Sequence, residues 1–124
     1  MILVDTCLWI DYLRGGNAAL VRLLENNAVL AHPWVTGELA LGTLNRREEF
    51  TSLLRGLPQA IVADSEEVLT LIDQEGLSGA GLAYVDAQLL AATRLTPDTR
   101  LWTRDRRLST VTERLGLDHS ESRL

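Results

Sequence analysis

Lysine is absent from this chain: all 12 basic residues are arginines, set against 17 aspartates and glutamates for a formal net charge of -5. That balance argues against broad, non-specific nucleic-acid binding, which depends on neutralising many phosphates. It still leaves room for a local arginine patch, or a bound metal, to meet a few of them. Cysteine is nearly absent as well. Cys7 alone cannot form an intramolecular disulfide and reads as a small buried hydrophobe in a reducing compartment. The two histidines, His32 and His119, are too few and too isolated for a zinc site or a catalytic pair with Cys7, and read as surface or loop residues. Long apolar runs are missing too, and the N-terminus lacks the successive regions of a signal peptide. Both absences point to the cytoplasm and away from a membrane.

What remains is ordinary in size: 124 residues, 46% of them hydrophobic, enough for one domain with a real core. Short apolar runs alternate with helical periodicity. Residues 1–5 read as a buried strand, 6–14 as a helix closed by Gly15 and Gly16, and Asn17 caps a helix bearing Leu20, Leu23 and Leu24. A strand at 28–31 precedes Pro33, which suits the first turn of a helix to about Thr43, and a further helix covers 46–55. Residues 60–63 read as a third strand, and Asp64 with Glu67 as a capping box opening a helix to about Glu75. After the glycine-rich loop 76–81 come a helix over 82–95, a strand at 101–103, a helix from Asp105 to Leu115, and a flexible tail from residue 118. The alternation implies an α/β sandwich around a mainly parallel sheet.

Four carboxylates interrupt apolar segments: Asp5 in I-L-V-D-T, Glu38 in W-V-T-G-E-L, Asp86 in Y-V-D-A-Q-L-L and Asp105 in L-W-T-R-D. Burying lone charges costs several kcal/mol or more on order-of-magnitude grounds, so something must compensate them. Asp5, Glu38 and Asp105 each follow an expected strand, which delivers them to the C-terminal edge of a parallel sheet, where functional groups collect. Asp86 reaches the same edge if its helix packs beside the first strand. Helical projection puts Glu38 between Trp34 and Val35, facing inward, and Asp86 on a face with Leu89, Leu90 and Thr93. Helix capping is a sufficient reason for Asp86 and Asp105 but not for Glu38 in mid-helix or Asp5 at a strand end. Converging carboxylates repel, and an all-oxygen donor set without clustered His or Cys favours Mg2+ or Mn2+ over Zn2+. Phosphodiester hydrolysis is the natural chemistry of such a site.

Read together and in order, D-T-C-L-W-I-D-Y-L-R-G at 5–15, G-E-L-A-L-G at 37–42, Y-V-D-A-Q-L-L-A-A at 84–92 and L-W-T-R-D at 101–105 resemble the PIN-domain ribonucleases, and more narrowly the VapC-type toxins of bacterial toxin-antitoxin pairs. The resemblance spans almost the whole chain. It implies a PIN-like three-layer sandwich and a metal-dependent endoribonuclease whose Asp5, Glu38, Asp86 and Asp105 surround Mg2+ or Mn2+. Thr6 and Thr103 would lend hydroxyls nearby, and the products would carry a 5′ phosphate and a 3′ hydroxyl. Also implied are a VapB-type antitoxin covering the active edge, contact with DNA only through that antitoxin, and a homodimer. Trp34, Leu39, Leu41, Leu44, Phe50, Leu53 and Leu54 could serve either core or dimer surface. Cys7 stands where the family commonly has Ser or Asn, and Leu108 where it often has an aromatic residue, departures that leave the acidic set complete. Arg104, Arg106 and Arg107 surround Asp105 as candidate RNA contacts, a solvated helix turn being the plainer reading, and Arg46 and Arg47 are weaker candidates.

Rival readings exist. A phosphorelay receiver domain has similar size and a Mg2+ site of strand-end acids, but it normally needs a lysine that this chain lacks and adjacent acids where Asp5 is followed by Thr6. A catalytically silent PIN interaction module would be favoured by loss of an acid, and none is lost. A DNA substrate is not separable from RNA by sequence.

Overall fold

The computed structural model describes residues 1–120. Strands β1 (Ile2–Val4), β2 (Val29–Leu30) and β3 (Arg100–Trp102) form an all-parallel sheet in the order β2-β1-β3. Leu3 lies opposite both Leu30 and Leu101, and Val4 opposite Trp102. Leu3 and Val4 are wholly buried, as expected for a parallel strand covered on both faces. Around the sheet run α1 (Thr6–Gly15), α2 (Ala18–Glu25), α3 (Pro33–Leu41), α4 (Arg47–Gly56), α5 (Ser65–Gln74), α6 (Tyr84–Leu95) and α7 (Arg106–Arg114). The chain is therefore an α/β sandwich of the expected PIN-like kind. Among the described residues, no helix is long and apolar enough to cross a membrane.

Local chemistry sets the helix starts. Asn17 accepts a hydrogen bond from the Leu20 amide at 3.0 Å, and Asp64 and Glu67 form the reciprocal capping box. Before α3 the cap is His32, whose Nδ1 accepts from the Trp34 amide at 3.0 Å, with Pro33 in the first turn. His32 is thus a loop residue but not a surface one: it is completely buried. His119 is half-buried, its ring edge-on to Trp102.

One expectation fails. Residues 60–63 form no strand; one parallel bridge joins Ala31 to Gln59, and Ile61 and Val62 stay exposed while the Ile61 amide bonds to Thr96 Oγ1. With β2 only two residues long, the sheet offers this segment no longer edge to pair with. Within the segment expected to be a tail, Leu101 donates to the Leu117 carbonyl and accepts from the His119 amide, which holds residues 117–119 beside β3. Residues 121–124 of the expected tail lie outside the described residues.

The core is one cluster spanning the sheet and most helices. Trp9 of α1 packs edge-on against Phe50 of α4, with ring centroids 5.9 Å apart. The apolar residues of α3 and α4 divide cleanly. Leu39, Phe50 and Leu54 are buried in the core, whereas Trp34 (41% exposed), Leu41 (90%) and Leu53 (43%) face outward.

Candidate functional site

Asp5 leaves the C-terminal end of β1, its amide still bonded to the Trp102 carbonyl of β3, and its side chain caps α1. One carboxylate oxygen accepts from the Thr6 amide and the other from the Thr103 hydroxyl, both at 2.7 Å. Each threonine then reaches a second acid. The Thr6 hydroxyl donates to Glu38 Oε1 at 2.7 Å, and Thr103 Oγ1 accepts from the Asp105 amide at 3.0 Å. Two short relays thus radiate from Asp5, one to α3 and one to the start of α7, where Asp105 caps the helix through the Leu108 amide. Asp86, in the first turn of α6, accepts from the Ala83 amide at 3.0 Å.

Two of the four carboxylates, Asp5 and Asp86, are shifted by their surroundings. Burial pushes the Asp5 carboxyl up from the usual range; the Thr103 and Thr6 bonds offset part of that, and Glu38 and Asp105 push it further up. Asp86 is raised by burial first, partly offset by the Ala83 bond, and then by repulsion from Asp5, Asp105 and Glu38. Three carboxylates keep one oxygen without a hydrogen bond among the described residues: Glu38, Asp86 and Asp105. Among the described residues, however, no three acidic, imidazole or thiol groups already stand close enough to cage an ion.

Burial differs from the sequence expectation. Asp5 is buried and Asp86 half-buried, but Glu38 and Asp105 are exposed. Projection misplaced Glu38 because α3 is apolar on nearly all sides, so its sequence does not say which side faces the core. Val35 and Leu39 fill that role, and Trp34 beside Glu38 is outside with it.

Cys7 is half-buried behind the site, with Sγ 3.8 Å from Asp5 Oδ2 and 3.5 Å from the Arg104 amide. Burial raises its thiol pKa, so it stays protonated there. Arg104 forms an ion pair with Asp11 of α1, Arg107 leans against Gly81 and donates to its carbonyl at 3.4 Å, and Arg106 is exposed. Arg46 pairs with Glu49, and Arg47 donates to the Ala40 carbonyl.

Two features went unread in the sequence. Asp11 looks like a solvated helix residue, and nothing local marks its pairing with a residue 93 positions away. The exposed rings of Trp34 and Tyr84 meet edge-on at 5.6 Å, linking the two helices that carry Glu38 and Asp86; their positions, four and two residues before those acids, were the available signal.

No protein-family model matches the chain. Among curated proteins it is similar to Ribonuclease VapC32 from two strains of Mycobacterium tuberculosis, in each case 44% identical over 121 residues, which is 98% of this chain and 98% of the relative.

Proposed function

The chain belongs to the VapC family of PIN-type ribonucleases, and from that premise we propose that it is a metal-dependent endoribonuclease toxin hydrolysing RNA phosphodiester bonds at the Asp5, Glu38, Asp86 and Asp105 cluster. The observation that carries this reading is the pair of threonine links that tie Asp5 to Glu38 and to the Asp105 amide at one sheet edge, with Asp86 of α6 facing the same charges. Such a cluster is poorly compensated by protein alone. Its donors are all oxygen and fit a hard cation, Mg2+ with Mn2+ as substitute, held by these four residues. Mg2+ keeps several waters and takes one or two carboxylates directly, so the donors need not close into a cage.

When bound, the ion supplies positive charge to the scissile phosphate and acidifies a water. The chain does the rest. Thr103 and Thr6 fix the orientation of Asp5, and Thr6 tethers Glu38. Asp86 has an Oδ1 with no hydrogen bond among the described residues, which leaves that oxygen free to take the proton of the attacking water. Arg104, Arg106 and Arg107 lie at the same edge and would meet RNA phosphates, with Arg106 the most available. The receiver alternative is set aside by the family, and a silent module by the complete acidic set.

We take the whole chain as one PIN domain acting in the cytoplasm, with a VapB-type antitoxin that covers the acidic edge and alone contacts DNA. Trp34, Leu41 and Leu53 supply outward apolar surface for a homodimer. The test is incubation with matched RNA and DNA oligonucleotides in Mg2+ or EDTA. RNA is cut in Mg2+ to products with 5′ phosphates, DNA is spared, and EDTA abolishes cutting. Intact RNA in Mg2+, or equal cutting in EDTA, contradicts the proposal.

A further inference from the structure

A polar recess of about 640 Å3 lies at the far end of α1 from Asp5, lined by Asp11, Arg14, Arg22, Arg104 and the turn through Asn17 into α2. Three guanidinium groups face one carboxylate there, in a chain whose net charge is -5. Arg104 is engaged by Asp11, but the guanidinium groups of Arg14 and Arg22 have neither hydrogen bond nor ion pair with any described residue. The other arginines in that condition among the described residues are Arg55 and Arg106, which line no part of the recess.

Each of Arg14 and Arg22 stands in the last turn of its own helix, where a cation is favoured by the helix dipole. That preference explains each separately. It does not explain why both open onto the same recess as Arg104, where like charges repel unless an anion joins them. The first-turn residues Ala18 and Ala19 of α2 line the same recess, so the positive end of α2 offsets the negative end of α1 there and the arginines set its charge.

We propose that Arg14 and Arg22, with Arg104, form a phosphate-binding subsite for the RNA strand beyond the scissile bond. This rests on the ribonuclease reading above. By helix rise Arg14 lies about 14 Å along α1 from Asp5, and Arg104, next to Asp105 in sequence, joins recess to acidic edge through its pair with Asp11. Guanidinium forks match phosphate oxygens, and a polar open recess suits a solvated backbone rather than a base or an apolar peptide. The subsite would explain how a net acidic protein grips a polyanion: a few cations are concentrated along one track.

The test compares the wild-type chain with the double variant Arg14→Ala/Arg22→Ala, and with Arg55→Ala as a charge control, in cleavage of a long and a short RNA over a range of NaCl. With long RNA at low salt, the double variant raises KM roughly tenfold at unchanged kcat. The slope of log KM against log salt falls by about 1.4, at about 0.7 per lost single-strand phosphate contact. Short RNA that cannot reach the recess is cut as before, and Arg55→Ala leaves the slope alone. A wild-type chain that cleaves RNA while the double variant keeps its slope overturns the subsite and spares the ribonuclease. Unchanged slope with lost antitoxin affinity assigns the recess to a protein partner instead. A wild-type chain inert towards RNA removes both proposals together.

Discussion

Asp86→Asn, and separately Asp5→Asn, is expected to lower RNA cleavage by about 10²–10⁴-fold, the range typical of losing a positioned acid-base or charge-bearing group. Each replacement is close to isosteric and keeps an acceptor, so the Ala83 amide at α6 and the Thr6 amide at α1 retain their partner. Stability should move the other way. A carboxyl whose folded-state pKa is raised is least favourable when ionised, so its cost is greatest at neutral pH and relieved as pH falls through the raised value. Neutralising either residue removes that cost at all pH. In chelator at pH 7 both variants should therefore melt no lower than the wild type, and Asp5→Asn, the more buried, should gain more. Circular dichroism and cleavage on the same purified samples read both effects. Undiminished metal-dependent cleavage by both folded variants rules out the carboxylate mechanism.

Acid should destabilise the fold through His32. Burial holds this imidazole at a pKa of about 4, below the ordinary 6.5, and the hydrogen bond that caps α3 uses Nδ1 as an acceptor, which protonation would destroy. Its Nε2 is buried without a partner among the described residues, so none of them compensates the charged ring. As pH falls, the unfolded chain takes up the proton first. Stability from His32 is full above pH 6.5 and declines down to about pH 4, by up to roughly 3 kcal/mol. Asp5 and Asp86 act in the opposite sense, since protonating them relieves first the burial of a charge and then repulsion among the acids. His32→Asn keeps a cap acceptor but cannot titrate. Urea unfolding at pH 7 and pH 4.5 should show a loss in the wild type that is smaller by about 2 kcal/mol in the variant. Equal losses in the two chains would remove His32 from the acid response.

Much of the architecture could be read from local chemistry because the determinants are themselves local. Asn17, and Asp64 with Glu67, cap the helices they were expected to cap, and the apolar run before Asp5 becomes the central strand. The failures share a cause, namely partners that sequence does not display. Residues 60–63 are apolar enough for a strand but find no strand to pair with: Ala60 donates to the Ala31 carbonyl and Ile61 to the Thr96 hydroxyl. Glu38 lies on a helix whose apolar residues surround it, so only packing decides that Val35 and Leu39 go in while Trp34 and Leu41 stay out. At the candidate site the four acids were visible as residues. The bonds that tie three of them, from Thr6 to Glu38 and from Thr103 to both Asp5 and Asp105, depend on elements up to 98 positions apart meeting at one sheet edge.

The most direct test is anomalous diffraction from crystals of the wild-type chain soaked in Mn2+. The shared-cation reading predicts a peak within coordinating reach of Asp5 and Asp86, with Glu38 and Asp105 bound directly or through waters. A well-occupied manganese elsewhere and none among these carboxylates, or acidic oxygens turned away from a common centre, would contradict it.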